Sequence, residues 1–400
     1  MTADVLRMPR PGFGPGHVHA VAGCYFVASF AALGLPPFLT EILPELGDRT
    51  ARWAGLLYVV PTVFGALGAP VWGRLADRFG RKRLLLRAQL GLAVTFLLAG
   101  WADSLGTFTA ALVLQGVLGG TFAASNGYLG AALEGTHLST ALTLMHGSAR
   151  AALVVAPIVV GFLSTWLSPH RQYALLALLP LAAALLLAAL PEPQAEEADL
   201  TEMAQTSEPA PAGALRSLYA LEFAFVFSTV ISFPYLISLV EERIPGASPT
   251  PAGVLFAVPH LCYLMAAMPV HTAFRDRARA GIVFGFVCVA IGLAGHSVAD
   301  SLATLIGVRL VLGVGLTLGL VCLSVLTADC VKGRSPGGLF GSLEFFSKAG
   351  AVASGVAAAA GSARYGPTAP LLTGAAVALI TVCATILRSL CTRWSHTCPR

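Results

Sequence analysis

The sequence predicts an all-α integral membrane protein, with twelve membrane-spanning helices in two pseudo-symmetric six-helix bundles, and two observations carry that reading. The first is a shortage of charge. Only 11% of the 400 residues are Asp, Glu, Lys or Arg, and 56% are hydrophobic. Water-soluble domains carry about 25% charged residues, so this chain cannot clothe a water-facing surface and must face lipid. The second is a series of apolar runs, each near the roughly 20 residues needed to cross a hydrocarbon core. The runs are continuous rather than alternating, which excludes a β-barrel and leaves helices as the spanning structure.

In order, the runs lie near 18–40, 53–73, 83–102, 105–133, 141–166 and 172–190, then near 215–240, 251–272, 280–298, 301–328, 337–361 and 367–390. The first is read as a retained helix rather than a cleaved signal, because it runs into Gly34-Leu35-Pro36-Pro37 without a small-residue cleavage pattern. Between the sixth and seventh runs the composition changes. Pro191–Gly213 is acidic, Pro-rich and without apolar periodicity, and cannot bury enough apolar surface to fold alone. The expected organisation is therefore a first half over 1–190, a cytoplasmic linker over 191–214 and a second half over 215–400. The halves echo each other faintly. A basic stretch follows the second run and another, Arg275–Arg279, follows the eighth; Glu134 ends the fourth run and Asp329 the tenth.

Basic residues set orientation, because Lys and Arg accumulate on the cytoplasmic side. With the N-terminus inside, the inner segments hold Arg7, Arg10, Arg74, Arg78, Arg81, Lys82, Arg83, Arg87, Arg216, Arg275, Arg277, Arg279, Lys332, Arg334, Arg388, Arg393 and Arg400. The outer segments hold only Arg49, Arg52, Arg171, Arg243 and Arg364. Both termini are expected in the cytoplasm. The net charge of +5 is mostly this bias and calls for no nucleic-acid partner. The eight cysteines are scattered without a CxxC pair or metal-ligand spacing, and read as small buried hydrophobes.

The most specific segment is Gly73-Arg74-Leu75-Ala76-Asp77-Arg78-Phe79-Gly80-Arg81-Lys82-Arg83-Leu84, read as a loop between the second and third helices. Gly73 and Gly80 suit a close approach and a tight turn. Asp77 is an anion at a helix boundary, suited to the positive N-terminal end of a neighbouring helix. The segment resembles the signature of the major facilitator superfamily between helices 2 and 3, GxLADRxGRKxxL, at every defining position. The resemblance implies that the neighbour is helix 11, starting near Pro336-Gly337-Gly338, and that Arg78 or Arg81 pairs with Glu134. Gly73, Asp77, Arg78, Gly80, Arg81 and Glu134 are then expected to form a conformational latch.

Two further stretches resemble the drug:proton antiporter branch. Gly34-Leu35-Pro36-Pro37-Phe38-Leu39 resembles its glycine–proline pattern in helix 1, with Thr40 where a proline is common. Ala152 to Gly161 resembles the helix 5 motif GxxxGPxxGG, with Ala152, Ala156 and Val160 replacing three glycines and with Pro157 and Gly161 kept. The small-residue spacing still suits close helix packing, and Pro157 suits a kink. A third motif departs. The arginine of RxxxG in helix 4 is absent, since Leu112 precedes Gly116, whereas helix 10 carries Arg309 ahead of Gly313.

An ionisable side chain at a helix centre costs about 2.5–3.5 kcal/mol on insertion scales, so each one asks for a reason. Arg150, Glu222, Arg309, Glu344 and Lys348 are the candidates for a substrate and proton pathway. Glu344 and Lys348, one turn apart, also suit mutual neutralisation. Burial favours the neutral form of an acid, which singles out Glu222 and Glu344 as proton carriers; His146, His260, His271 and His296 are alternatives. Three basic against two acidic groups suit a neutral or anionic metabolite as well as a cationic drug.

The resemblance thus implies a proton-coupled exporter working by rocker-switch alternating access. It is expected to be a monomer in the bacterial inner (plasma) membrane, driven by the proton gradient, without cofactor or metal. Its partners are a small-molecule substrate, the proton and the lipid bilayer. The substrate class is a drug-like compound or a native metabolite such as a siderophore. The alternatives are a proton-coupled uptake symporter and, from another class, a non-transporting receptor. No HExxH, GxSxG or Walker-type loop points to an enzyme.

Overall fold

In lipid every backbone N–H and C=O must find its partner within the chain, and the apolar runs meet that demand as helices. The computed structural model describes residues 14–49, 53–190, 212–232, 236, 239–240, 249–331, 334–366 and 368–397. Six helices come first: α1 (Pro15–Gly34), α2 (Ala54–Phe79), α3 (Arg81–Gly100), α4 (Leu105–Ala132), α5 (Gly135–Leu163) and α6 (Pro169–Ala189). Six follow: α7 (Ala212–Val230), α8 (Pro249–Phe274), α9 (Ala278–Gly295), α10 (Leu302–Val331), α11 (Pro336–Tyr365) and α12 (Thr368–Thr397). Among the described residues, eleven are long and apolar enough to cross a membrane. The twelfth, α11, is 30 residues long but is diluted by Glu344, Lys348 and several serines and glycines. Residues 191–211 of the expected linker lie outside the described residues.

Large apolar side chains cover the outside of this bundle, among them Leu67, Ile158, Leu185 and Met265. In water such a surface drives aggregation; in a bilayer it is the solvated face. The buried positions combine small residues, aliphatic side chains and aromatic rings. In the first half, Ala31, Leu35, Phe96, Phe108, Ala152, Ala156, Val160 and Tyr173 form one apolar core drawn from α1, α3, α4, α5 and α6.

The chain divides into two compact units. One comprises Met1–Ala152, Ala156–Pro211 and Ala328–Glu344; the other comprises Leu153–Val155, Ala212–Thr327 and Phe345–Arg400. The C-terminal end of α10 and the first turns of α11 thus pack with α1 to α6.

Within themselves the units repeat one another more closely than the basic stretches suggested. Ala102-Asp103-Ser104-Leu105 ahead of α4 recurs as Ala299-Asp300-Ser301-Leu302 ahead of α10. Ser104 Oγ accepts the Thr107 N–H, and Ser301 Oγ the Thr304 N–H, each at 3.3 Å. Each threonine hydroxyl accepts the serine N–H in return, at 3.2 and 3.1 Å. This reciprocal cap satisfies two of the donors that a helix start leaves open. About three turns further in, Gly116 of α4 lies against Pro61 of α2, and Gly313 of α10 against Pro259 of α8.

Two sequence expectations need correction. Gly73–Leu84 is not a loop: α2 runs on to Phe79 and α3 begins at Arg81, with Gly80 alone between them. Nothing in Leu75-Ala76-Asp77-Arg78 resists a helix, and only Gly80, at φ +99°, takes a conformation that other residues avoid. Likewise α1 ends at Gly34, so the Pro36–Leu39 motif lies beyond it in short helical turns that reach Leu46.

Candidate functional site

The turn at Gly80 fixes what lies on either side of it. Asp77 sits on the last turn of α2 and points at the start of α11. Its Oδ1 accepts the Gly337 N–H at 3.0 Å and its Oδ2 accepts the Gly338 N–H at 2.8 Å. The first N–H groups of a helix have no partner within it and carry the positive end of its dipole, so both carboxylate oxygens are matched to charge and geometry at once. Arg81, four residues on, donates to Oδ1 from Nη2 at 3.0 Å.

Such an approach requires missing side chains. A Cβ on Gly73 would collide with the Gly337 carbonyl oxygen, and one on Gly341 would lie 2.6 Å from the Ala69 carbonyl oxygen. Gly337 and Gly341 on α11 thus face Ala69 and Gly73 on α2, a small-xxx-small crossing on both sides. α4 adds to the same junction, since Gly130 lies against Phe340 and Pro336.

The other signature residues go elsewhere. Arg78 is exposed and lies over the Phe79 ring at 5.3 Å. Glu134 is exposed ahead of α5. Arg81 therefore turns to Asp77 rather than to Glu134, across the Gly80 turn that separates α2 from α3. Lys82 donates from Nζ to the carbonyls of Ala188, at 2.8 Å, and Leu190. It caps the end of α6, where a cation complements the exposed carbonyls.

The charged groups expected within the membrane fall into separate places. Arg150 on α5 and Glu344 on α11 both lie within electrostatic reach of Tyr25 on α1. The Tyr25 ring stands 5.6 Å from Phe122 of α4, and Phe122 stands 5.6 Å from His146 of α5. Acid, base and three rings thus gather in the first unit. Tyr25 and Phe122 escaped the sequence reading because aromatic residues in an apolar helix carry no pattern of their own.

In the second unit, Glu222 on α7 is buried and Lys348 on α11 half-buried. Their helices touch at Phe223 and Gly350. Arg309 is on α10. It is 1% exposed and donates its Nε–H to the Leu255 carbonyl at 2.8 Å. That carbonyl would normally accept the N–H of residue 259, but Pro259 has none. Arg309 therefore has a structural reason to be buried.

The helix 5 motif faces inward. Ala152, Ala156 and Val160, the positions that replace glycines, are fully buried. A Cβ on Gly34 of α1 would lie only 3.0 Å from that of Ala156. Pro157 lies within α5, and Gly161 lies near Phe38. Among the described residues, no three His, Cys, Asp or Glu side chains gather closely enough to hold a metal ion.

Comparison with known proteins bears on these features. The model of the family "Major Facilitator Superfamily" matches residues 21–243. Among curated proteins, Multidrug resistance protein MdtG of Yersinia enterocolitica is 35% identical over 147 residues, and that of Serratia proteamaculans 34% over 146. Each alignment covers 36% of this chain, and the chain spans about a third of those relatives' length, 35%. Among solved structures, the human organic anion transporter MFSD10 (TETRAN) aligns with a TM-score of 0.77 at 17% identity, covering 93% of this chain and 100% of that one. The proton:xylose symporter XylE, bound to 6-bromo-6-deoxy-D-glucose, aligns at 0.72 with 12% identity, covering 92% and 93%. At such identities the structural likeness speaks for the fold. The family model, by contrast, spans more than half of the sequence and includes the whole Asp77 turn, and so the chain belongs to the Major Facilitator Superfamily of transporters.

Proposed function

We propose that the chain exports a small molecule in exchange for protons, by rocker-switch alternating access. The observation that carries this reading is the carboxylate of Asp77 on the first N–H groups of α11. A charge-assisted bond between two helix ends holds one arrangement firmly, yet it can part without unfolding either helix. Asp77, with Gly73, Gly80 and Arg81, acts as the latch of one conformation. Both termini lie in the cytoplasm of a bacterial inner membrane, the chain works as a monomer, and the proton gradient replaces any cofactor.

The cluster of Tyr25, Arg150 and Glu344 supports the proton path. A buried carboxyl that loses and gains a proton beside a fixed cation changes the net charge of its surroundings, which a coupled cycle requires. Glu344 is the carrier favoured here, with Glu222 as a second group. Arg309 is a further candidate, since the Leu255 carbonyl takes its Nε–H while its Nη1 is buried without a hydrogen-bond partner among the described residues. Export rather than uptake is favoured by the small-residue stripe of α5 and by relatives named for multidrug resistance. The substrate is a drug-like compound or a native metabolite such as a siderophore.

The test is reconstitution in liposomes with a pH-sensitive dye inside, adding ethidium as a lipophilic cation and a hydroxamate chelator as a metabolite-like solute. Exchange predicts protons moving opposite to solute, lost in Glu344→Gln. Protons moving with the solute indicate symport, and binding without flux indicates a receptor; either result overturns the proposal.

A further inference from the structure

The two units differ at a place where their repeat should make them match. α10 runs unbroken from Leu302 to Val331. Its counterpart α4 stops at Leu118 and restarts at Thr121, with Gly120 between them at φ +95°. A broken helix strands carbonyls that lipid cannot satisfy. Two side chains take them up. Trp72 Nε1–H donates to the Val117 carbonyl at 2.7 Å, and Arg87 Nη2–H donates to the Gly119 carbonyl at 2.8 Å. The Arg87 guanidinium also lies 3.6 Å from the centroid of the Trp72 ring, so cation, indole and both carbonyls form one clamp.

The second unit supplies an internal control. Counting from Pro61 and Pro259, Trp72 corresponds to Val270; counting from the starts of α3 and α9, Arg87 corresponds to Phe284; counting from Gly116 and Gly313, Gly120 corresponds to Thr317. Val270, Phe284 and Thr317 line an apolar crevice of about 450 Å³, beside an intact helix. The break and the clamp therefore occur together or not at all.

Both segments of α4 pack on α2 and α3, and they differ in what else they meet. In the first segment, Gly116 lies against Pro61 and Phe64 of α2. In the second segment, Gly127 and Gly130 lie against Pro336, Gly337 and Phe340 of α11, the turn that binds Asp77. We propose that Trp72 and Arg87 are positioning residues of a hinge in α4. Its second segment moves with the start of α11 when the Asp77 bonds part, while its first segment stays on α2. The hinge rests on the alternating-access reading.

Hydrogen–deuterium exchange of the full chain in lipid nanodiscs tests it without any substrate. Arg87→Met is expected to speed exchange of residues 119–124 about tenfold, and Arg87→Lys, which keeps a donor, to restore most of the protection. Asp77→Asn is expected to speed the same amides, and Gly119→Ala with Gly120→Ala, which favours a continuous helix, to abolish that response. Unchanged exchange in Arg87→Met overturns the clamp. A response to Asp77→Asn that is absent, or that persists in the alanine variant, overturns the hinge. The flux assay judges the export reading separately.

Discussion

Arg309 and Leu255 are joined by a bond that a proline makes necessary. The Leu255 carbonyl points toward position 259, where Pro259 offers no N–H, and the Arg309 Nε–H fills the vacancy at 2.8 Å. At the matching place in the first unit stand Leu57, Pro61 and Leu112, and both leucines are buried in an apolar core. One repeat thus solves the proline with a cation and the other packs hydrocarbon around it. The arginine of the second unit meets a local demand of the backbone.

A double-mutant cycle tests that account. Arg309→Leu leaves a buried carbonyl open and is expected to cost about 1–3 kcal/mol, read as a fall in thermal midpoint. Pro259→Ala returns the missing N–H, so most of the loss should be recovered in Arg309→Leu with Pro259→Ala. Independent, additive losses would show that the two residues do not share the carbonyl.

Asp77→Asn keeps the shape of the side chain but removes its charge and one of its two acceptors. Hydrogen bonds to charged groups exceed neutral ones by about 1 kcal/mol each, so a loss of about 1–2 kcal/mol shifts the equilibrium at the junction roughly five- to thirty-fold. Cys330, buried near the end of α10, reports it. Its alkylation by a maleimide is expected to accelerate by that factor, and an unchanged rate would remove Asp77 from the latch.

How far the sequence discloses this arrangement depends on the range of each interaction. Helix number follows from composition, because lipid as solvent leaves one choice, and the Asp77 signature sits in one contiguous stretch. The partner of Arg309 was hidden because it depends on a proline 50 positions earlier in the chain. The α4 break was hidden because Gly119-Gly120 lies within an apolar run that glycine pairs often interrupt without consequence. Tyr25 and Phe122 meet Arg150 and Glu344 only through packing. The repeat of Ala102–Leu105 at Ala299–Leu302 was there to be read, and aligning the halves on it brings Leu112 to Arg309 and, with a shift of one residue, Pro61 to Pro259.

Gly73→Ala is expected to act on the same junction by steric means. The added methyl meets the Gly337 carbonyl, so α2 and α11 must separate, at a cost typical of overpacking, about 1–3 kcal/mol. Both Asp77 bonds should then loosen together, and Cys330 alkylation should rise at least as far as in Asp77→Asn. Gly355→Ala on α11 is the control, since its Cβ would enter open space; an equal effect there would mean that helix propensity, not the crossing, is being measured.

Lys82 separates a role in the fold from a role in the cycle, although it lies within the same signature as Asp77. Its partners are the carbonyls of Ala188 and Leu190 at the end of α6, so it belongs to the packing of the first six helices. Lys82→Met removes a cation from a helix C-terminus, worth about 0.3–1 kcal/mol. It is expected to lower the thermal midpoint slightly and to speed proteolysis just beyond α6, with Lys82→Arg close to wild type. Cys330 alkylation should stay unchanged, in contrast to Asp77→Asn. An accelerated rate in Lys82→Met would mean that the α6 cap and the α11 contact open as one unit, and that the signature turn cannot be divided between fold and latch.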